Sequence, residues 1–272
     1  MFTDVMLASS LRWSTPLLVI LIIFAMVYGV LVLRYTNIKL YQKQPLLFFL
    51  SVGLLFVTVG SPLTTLSHLS ISLHMIQMSI LYFVFPPLLI TGIPSELVQK
   101  LEKNRTYRLL PKTALFVFAI LFLMYHVPVV LNVLLRHSVV HNGYIFFLLI
   151  LAITMWWPIV ASDSKQHLRG EKRKKYVMLN GVLLMPACLL FVFSAFVDGI
   201  NNPFLSQITS HICIPSEAIN SINILPPPFN TKYDQGIAGF IMLAIHKVSL
   251  GVTTKQAHLR RTRIKRNGLA KT

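Results

Sequence analysis

Residues Ser72 to Pro94 read SLHMIQMSILYFVFPPLLITGIP, without a single Asp, Glu, Lys or Arg. A helix of about 20 apolar residues crosses the hydrocarbon core of a bilayer, which is about 30 Å thick. The stretch therefore predicts a transmembrane helix that carries His74 and Gln77 into the membrane. Pro86 and Pro87 lack amide donors, so we expect them to kink this helix or to end it early.

Six more segments have the same apolar character, and only the last contains a charged residue, Lys247. The seven predicted spans are about 16–33, 45–63, 69–93, 113–135, 143–160, 177–197 and 236–252. Only 12% of the 272 residues are charged, against about a quarter in soluble domains. The sequence thus predicts an all-α, polytopic membrane helical bundle over residues 1–252, with a long outside loop at 198–235.

Lys and Arg are distributed very unevenly between the two sides of this bundle. One side holds 22 of the 25, in the loops after spans one, three and five and from Lys247 onward, and the other side holds Arg12, Arg136 and Lys232. Cytoplasmic loops carry the positive excess. The count predicts seven transmembrane helices with the N-terminus outside and the C-terminus cytoplasmic.

The C-terminal tail, residues 253–272, ends in the basic stretch HLRRTRIKRNGLAKT. We interpret it as a cytoplasmic anchor to anionic lipid headgroups. No nucleic acid is expected as a partner, because no aromatic or motif context accompanies the charge.

The spans contain no carboxylates, and the chain has no phosphate loop or nucleophile elbow, so we expect no catalytic residues and no enzyme activity. They do contain His, Met and one Cys, which are ligands suited to Cu(I), while imidazole also suits Cu(II) or haem iron. The rise of a helix places six of them roughly 8–15 Å below the outer surface. These six are His74, Met78, His126, Cys188, Met242 and His246.

Two of these pairs share a helix face at a spacing of four residues, namely His74 with Met78 and Met242 with His246. His74, Met78, His126, Met242 and His246 are therefore our candidate metal ligands, with copper as the metal. A structural interpretation stands beside this one, because Met commonly fills apolar cores and a buried His often bonds a neighbouring helix. We assign Cys188 to packing.

Several motifs resemble those of the caa3-type cytochrome c oxidase assembly factors called CtaG. Ser72 to Pro94 is similar to their third-helix signature, which reads approximately HMxQHxxL…PPLLxLGxP. The other similar motifs are Tyr125-His126-Val127-Pro128 (WHxP in the family), Trp156-Trp157-Pro158 (WWP), and Asp234-Gln235-Gly236 with Gly239 (DQxxxG). They follow one another in family order from about Pro45 to Leu250.

The resemblance implies a factor of the bacterial plasma membrane that helps to build a haem–copper oxidase, with oxidase subunits as partners. Copper insertion is the function it suggests. Met78 stands where many members have a second histidine, which leaves a Cu(I) site possible and disfavours a bis-histidine haem. The alternatives are a scaffold without metal, a copper importer or exporter, and a haem-bearing redox enzyme.

The charge count generates a prediction about topology. A reporter fused after Thr272 should be active only in the cytoplasm, and one inserted near Asn220 only outside. Activity of both reporters on the same side of the membrane would contradict the seven-span arrangement.

Overall fold

A computed structural model describes residues 13–68, 70–101, 110–161, 168, 170–196, 229 and 232–269. Within these ranges the chain is helical and has no strand. Most of the predicted 198–235 loop lies outside the described residues.

Twelve α-helices lie in the described part of the chain. They are α1 Thr15–Tyr35, α2 Lys43–Leu55, α3 Leu63–Ser67, α4 Ile71–Ser79, α5 Phe85–Gly92, α6 Ser95–Leu101, α7 Leu110–Tyr125, α8 Pro128–Leu135, α9 Ser138–Val160, α10 Gly170–Leu183, α11 Met185–Ser194 and α12 Lys232–Leu269. Two π-helical segments, Phe56–Gly60 and Ile80–Val84, continue α2 and join α4 to α5.

Six helical stretches in the described part of the chain are long and apolar enough to cross a membrane, and a bent pair makes seven if it counts as one span. The all-α, multi-pass prediction is confirmed. The prediction of one continuous helix over 113–135 is wrong, because α7 and α8 meet at an angle of 84°. Pro128 has no N–H for the Met124 carbonyl, which accepts instead from the Val127 N–H at 3.1 Å, and the chain turns.

The Ile71–Gly92 span forms the centre of the bundle. Inside it, 72% of the most apolar stretch is buried, against 22% in α1. Helix α4 lies against α12, and α5 lies against α2 and α9. The polar groups of this span are therefore held among other helices.

Pro86 and Pro87 do not end this central span, although an early end was one of the two outcomes expected. They occupy the first turn of α5, and the π segment immediately precedes them. Their missing amides would have bonded the carbonyls of Tyr82 and Phe83. The Trp156 indole N–H donates to the Tyr82 carbonyl at 3.0 Å, and the Ser249 hydroxyl donates to the Phe83 carbonyl.

Two glycines allow helices to approach closely. A Cβ on Gly92 would lie 2.6 Å from the Phe48 amide nitrogen, and one on Gly239 would lie 2.6 Å from the Cys188 carbonyl oxygen. Small residues at such crossings let membrane helices pack closely, since no hydrophobic driving force brings helices together in lipid. They bring α5 against α2 and α12 against α11.

The last helix is longer than the predicted span 236–252. Helix α12 runs for 38 residues, from Lys232 to Leu269, and so continues beyond residue 252 into the basic stretch. Lys247, the charged residue of the predicted span, donates from Nζ to the Gly181 carbonyl at 3.0 Å. Its ammonium group is thereby bound to α10.

The bond to the Phe83 carbonyl generates a stability prediction. Ser249→Ala leaves that carbonyl with neither the proline amide nor the hydroxyl, and an unsatisfied buried group costs about 1–3 kcal/mol. We expect a lower melting temperature in detergent. The matched control is Ser51→Ala, because Ser51 is buried but bonds the Phe48 carbonyl of its own helix. Equal melting temperatures for the two variants would contradict this role of Ser249.

Candidate metal centre

His74 lies one turn inside α4, and the carboxylate of Asp234 fixes where that helix begins. Asp234 accepts from the Ser70 hydroxyl at 2.9 Å, from the Ile71 N–H at 3.0 Å and from the Ser72 N–H at 3.3 Å. A carboxylate at a helix N-terminus satisfies free amides and complements the helix dipole. Buried Asp234 therefore ties α12 to α4 and sets the level of His74, whose side chain is 1% exposed.

Gln77 joins the same helix to the segment before it. Its Nε2 donates to the Thr58 carbonyl at 2.8 Å, and its Oε1 accepts from the Ser67 hydroxyl at 2.6 Å. Thr58 belongs to the π segment Phe56–Gly60. Both ends of the Gln77 amide are thus committed to holding α4 in place.

His126 lies in the turn between α7 and α8 and is buried. Its Nδ1 lies 2.5 Å from the Phe122 carbonyl oxygen. Because a carbonyl only accepts, Nδ1 must carry the proton, which leaves the Nε2 lone pair available. That buried Nε2 has no hydrogen-bond partner among the residues that the structure describes. Metal-binding histidines are commonly held in this way by the N–H of the other ring nitrogen.

Tyr125 connects His74 to a further histidine, His141. Its hydroxyl oxygen lies 3.3 Å from Nε2 of His74 and 3.0 Å from Nε2 of His141. His126 and His141 both lie close enough to His74 to interact with it electrostatically. The sequence placed His74 and His126 in one layer of the membrane, and the structure does bring them together.

His68, between the second and third spans, completes this end of the bundle. Its ring centroid lies 5.9 Å from that of His74. Burial, with a smaller contribution from His141, lowers the pKa of His68 to about 4. His68 is therefore neutral at pH 7 and adds no positive charge that would repel a cation.

The sulfur atoms of the candidate set lie in the main apolar cluster of the bundle. Met78 follows His74 by one turn and is 3% exposed, while Met242 is fully buried. The Cys188 thiol donates at 3.5 Å to the carbonyl of Leu184, the residue directly before α11. Its assignment to packing agrees with this position.

His246 lies apart from His74. Since Asp234 is level with Ile71, and the His246 ring lies 4.7 Å from that of Phe83, His246 is about 13 Å deeper than His74 by helical rise. Its Nε2 lies 3.0 Å from Oδ1 of Asn180. The expected single layer of six ligands therefore fails for His246.

Among the described residues, no three His, Cys, Asp or Glu side chains lie close enough together to hold one metal ion. A site at this end of the bundle would need a methionine thioether beside the histidines. Met78 lies one turn after His74 on the same helix. Imidazole with thioether suits a soft cation such as Cu(I) better than a metal that demands three imidazole or carboxylate ligands.

The fold and this cluster describe a multi-pass helical membrane protein with buried histidines at one end. The family model of the cytochrome c oxidase caa3 assembly factors (Caa3_CtaG) matches residues 24–261. The match covers most of the chain, so the protein belongs to this family, and the resemblance drawn from its motifs is confirmed. Comparison with curated proteins and with solved structures found no match.

The motif residues divide into two groups in this structure. Gln77, Trp156, Asp234 and Gly239 hold helices together through backbone groups or close approach. His126 differs, because one of its nitrogens is held and the other is left available. Two roles were not predicted from sequence: Tyr125 as a bridge between histidines and Asn180 as the partner of His246. The one signal for Tyr125 was its place directly before His126.

The hydrogen bonds of the Asp234 carboxylate generate a stability prediction. Asp234→Ala leaves two helix amides and the Ser70 hydroxyl without their acceptor, which should cost about 2–3 kcal/mol. Asp234→Asn keeps one acceptor oxygen and should cost less. Melting temperatures in detergent test this order, and a variant Asp234→Ala as stable as Asp234→Asn would contradict it.

Proposed function

We propose that this protein is an assembly factor of the bacterial plasma membrane that binds Cu(I) and passes it to an immature cytochrome c oxidase. The cluster of His74, Met78 and His126 would lie toward the outside, and the basic end of α12 would lie in the cytoplasm. The protein would bind Cu(I) and transfer it by ligand exchange, without making or breaking a covalent bond of a substrate. Copper is the cargo.

The observation that supports this proposal most is the state of His126. Its Nδ1–H donates to the Phe122 carbonyl, and its Nε2 is buried without a hydrogen-bond partner among the described residues. The Phe122 and Phe191 rings contact the imidazole edge-on, with centroids at 4.4 and 5.2 Å. An imidazole with one nitrogen held by a backbone carbonyl and with apolar rings around it is arranged as a metal ligand is.

His74 and Met78 would supply the other donors. They share a face of the central span, one turn apart, and both are almost fully buried. Imidazole with thioether is a set that prefers Cu(I) to harder ions. A site in an apolar interior also shields bound Cu(I) from water.

We leave His246 and Met242 out of this site. His246 already bonds Asn180, lies about 13 Å deeper by helical rise, and has the Lys247 ammonium close enough to act on it electrostatically. A fixed positive charge there opposes the binding of a second cation. Their role as metal ligands stays a prediction from sequence alone.

The basic end of α12 would bind anionic headgroups of the cytoplasmic leaflet. The helix continues past residue 252 into a stretch rich in Lys and Arg. Each such residue near an anionic surface contributes about 1 kcal/mol of attraction. This contact would add to the anchoring already given by the spans.

A scaffold without metal is the second candidate, and a specific observation favours it. The Tyr125 hydroxyl bridges His74 and His141, which is what histidines do when they only hold helices together. In that case the helices themselves would bind an oxidase subunit, and the imidazoles would serve the fold.

The two candidates predict different mutant series. For copper transfer, His74→Ala and His126→Ala should reduce oxidase activity in membranes at least tenfold, because a lost metal ligand is not replaced by water in an apolar site. His74→Gln should fail equally, since an amide is a poor donor for Cu(I). For a scaffold, His74→Gln should be tolerated, because an amide can keep the bond to Tyr125.

Methionine offers a matched control on the same helix. Met78→Leu should weaken activity several-fold, whereas Met75→Leu should not, although both residues are 3% exposed. Each activity is divided by the amount of the variant in the membrane. Full activity in His74→Gln together with equal effects of the two methionine variants would exclude copper binding at this site.

A further inference from the structure

Tyr125 is buried at the end of α7 with its hydroxyl between two imidazoles. The oxygen lies 3.3 Å from Nε2 of His74 and 3.0 Å from Nε2 of His141. His74 is buried, whereas His141 is only partly buried. The tyrosine thus links an imidazole inside the bundle to one that reaches its end.

The single hydroxyl proton fixes the chemistry of this link. The oxygen can donate to one imidazole and must accept from the other. One histidine therefore carries a proton on Nε2 and the other does not. The direction of these two hydrogen bonds can reverse only if both tautomers change together.

We propose that Tyr125 is a positioning residue that orients His74 toward Cu(I) and couples metal binding at His74 to the tautomer of His141. The inference rests on the proposed copper function. With Nε2 engaged by Tyr125, His74 would bind the metal through Nδ1. That state requires a proton on Nε2, which donates to the Tyr125 oxygen. The hydroxyl then donates to Nε2 of His141.

Through these hydrogen bonds His141 would influence metal binding without contacting the metal. When His74 binds Cu(I), the proton of His141 must move to Nδ1. Conversely, when Nε2 of His141 carries the proton and donates, the Tyr125 proton must point to His74, which disfavours binding through Nδ1. A group that contacts His141, such as the receiving oxidase subunit, could in this way promote release of the metal.

Phenylalanine at position 125 tests the hydroxyl without removing the ring. The Tyr125 ring lies 6.1 Å from the His74 ring and 5.9 Å from the His141 ring, stacked at interplanar angles of 28° and 14°. These contacts persist in Tyr125→Phe. A change in metal affinity would therefore report the lost hydrogen bonds rather than lost packing.

The experiment is a double-mutant cycle on Cu(I) affinity. Detergent-purified wild type, Tyr125→Phe, His141→Ala and the double variant are titrated with Cu(I) against a chromophoric Cu(I) chelator. Loss of a residue that hydrogen-bonds a metal ligand typically costs about ten- to a hundredfold in metal affinity. We expect each single variant to bind about tenfold more weakly, and the double variant to match Tyr125→Phe within about twofold.

Additional variants separate coupling from damage. His141→Gln should restore most of the affinity in the wild-type background, because its amide oxygen accepts the Tyr125 proton, and it should have no effect when Phe is at position 125. Met75→Leu should bind Cu(I) like the wild type throughout. His126→Ala should lose binding in both backgrounds.

The outcomes distinguish this inference from the function on which it rests. Absence of Cu(I) binding by the wild type overturns both. Binding by the wild type with independent, multiplying effects of Tyr125→Phe and His141→Ala overturns only the coupling, as does full affinity in either single variant. His141 is partly exposed, so its substitution should disturb packing less than a change at buried Tyr125. The His141 variants therefore still test the inference if Tyr125→Phe lowers stability.

Discussion

The arrangement of this bundle depends on the need of every backbone carbonyl for a donor where no water is present. Two adjacent prolines in the central span remove two amides from the helix, and the carbonyls of Tyr82 and Phe83 receive donors from α9 and α12 instead. The carbonyl of Thr58, in the other π segment, receives the Gln77 amide. Three neighbouring helices are thus fixed in rotation and in depth against the central span. The two prolines, which in sequence predict a kink or an end of the helix, thus mark the place where neighbouring helices bond the central span.

Much of the fold could be predicted from sequence, because apolar length and the scarcity of charge are properties of each segment by itself. The all-α class, the positions of most spans and the family motifs follow from them. The 84° bend between α7 and α8 could not be predicted. A proline in an apolar run fits either a kinked continuous helix or a turn, and the choice depends on whether neighbouring helices leave room for the chain to continue.

The candidate site was predictable in part for the same reason. Burial of His74 and His126 follows from their places in apolar runs, and helical rise put both in one layer roughly 8–15 Å deep. The depth of His246 was misjudged because the last helix was taken to begin near residue 236, whereas it begins at Lys232 and Asp234 fixes its level against α4. The Tyr125 bridge depends on the relative rotation of three helices. No pattern within one segment contains that information.

The bend after Tyr125 also has a consequence for the lipid. Helix α8 leaves α7 at an angle of 84° and exposes the apolar side chains of Val129 and Val133. Such a surface is favourable in contact with lipid chains and unfavourable in water. The turn therefore gives the end of the bundle that holds the histidines an apolar surface, which lipid or a membrane-embedded partner would cover.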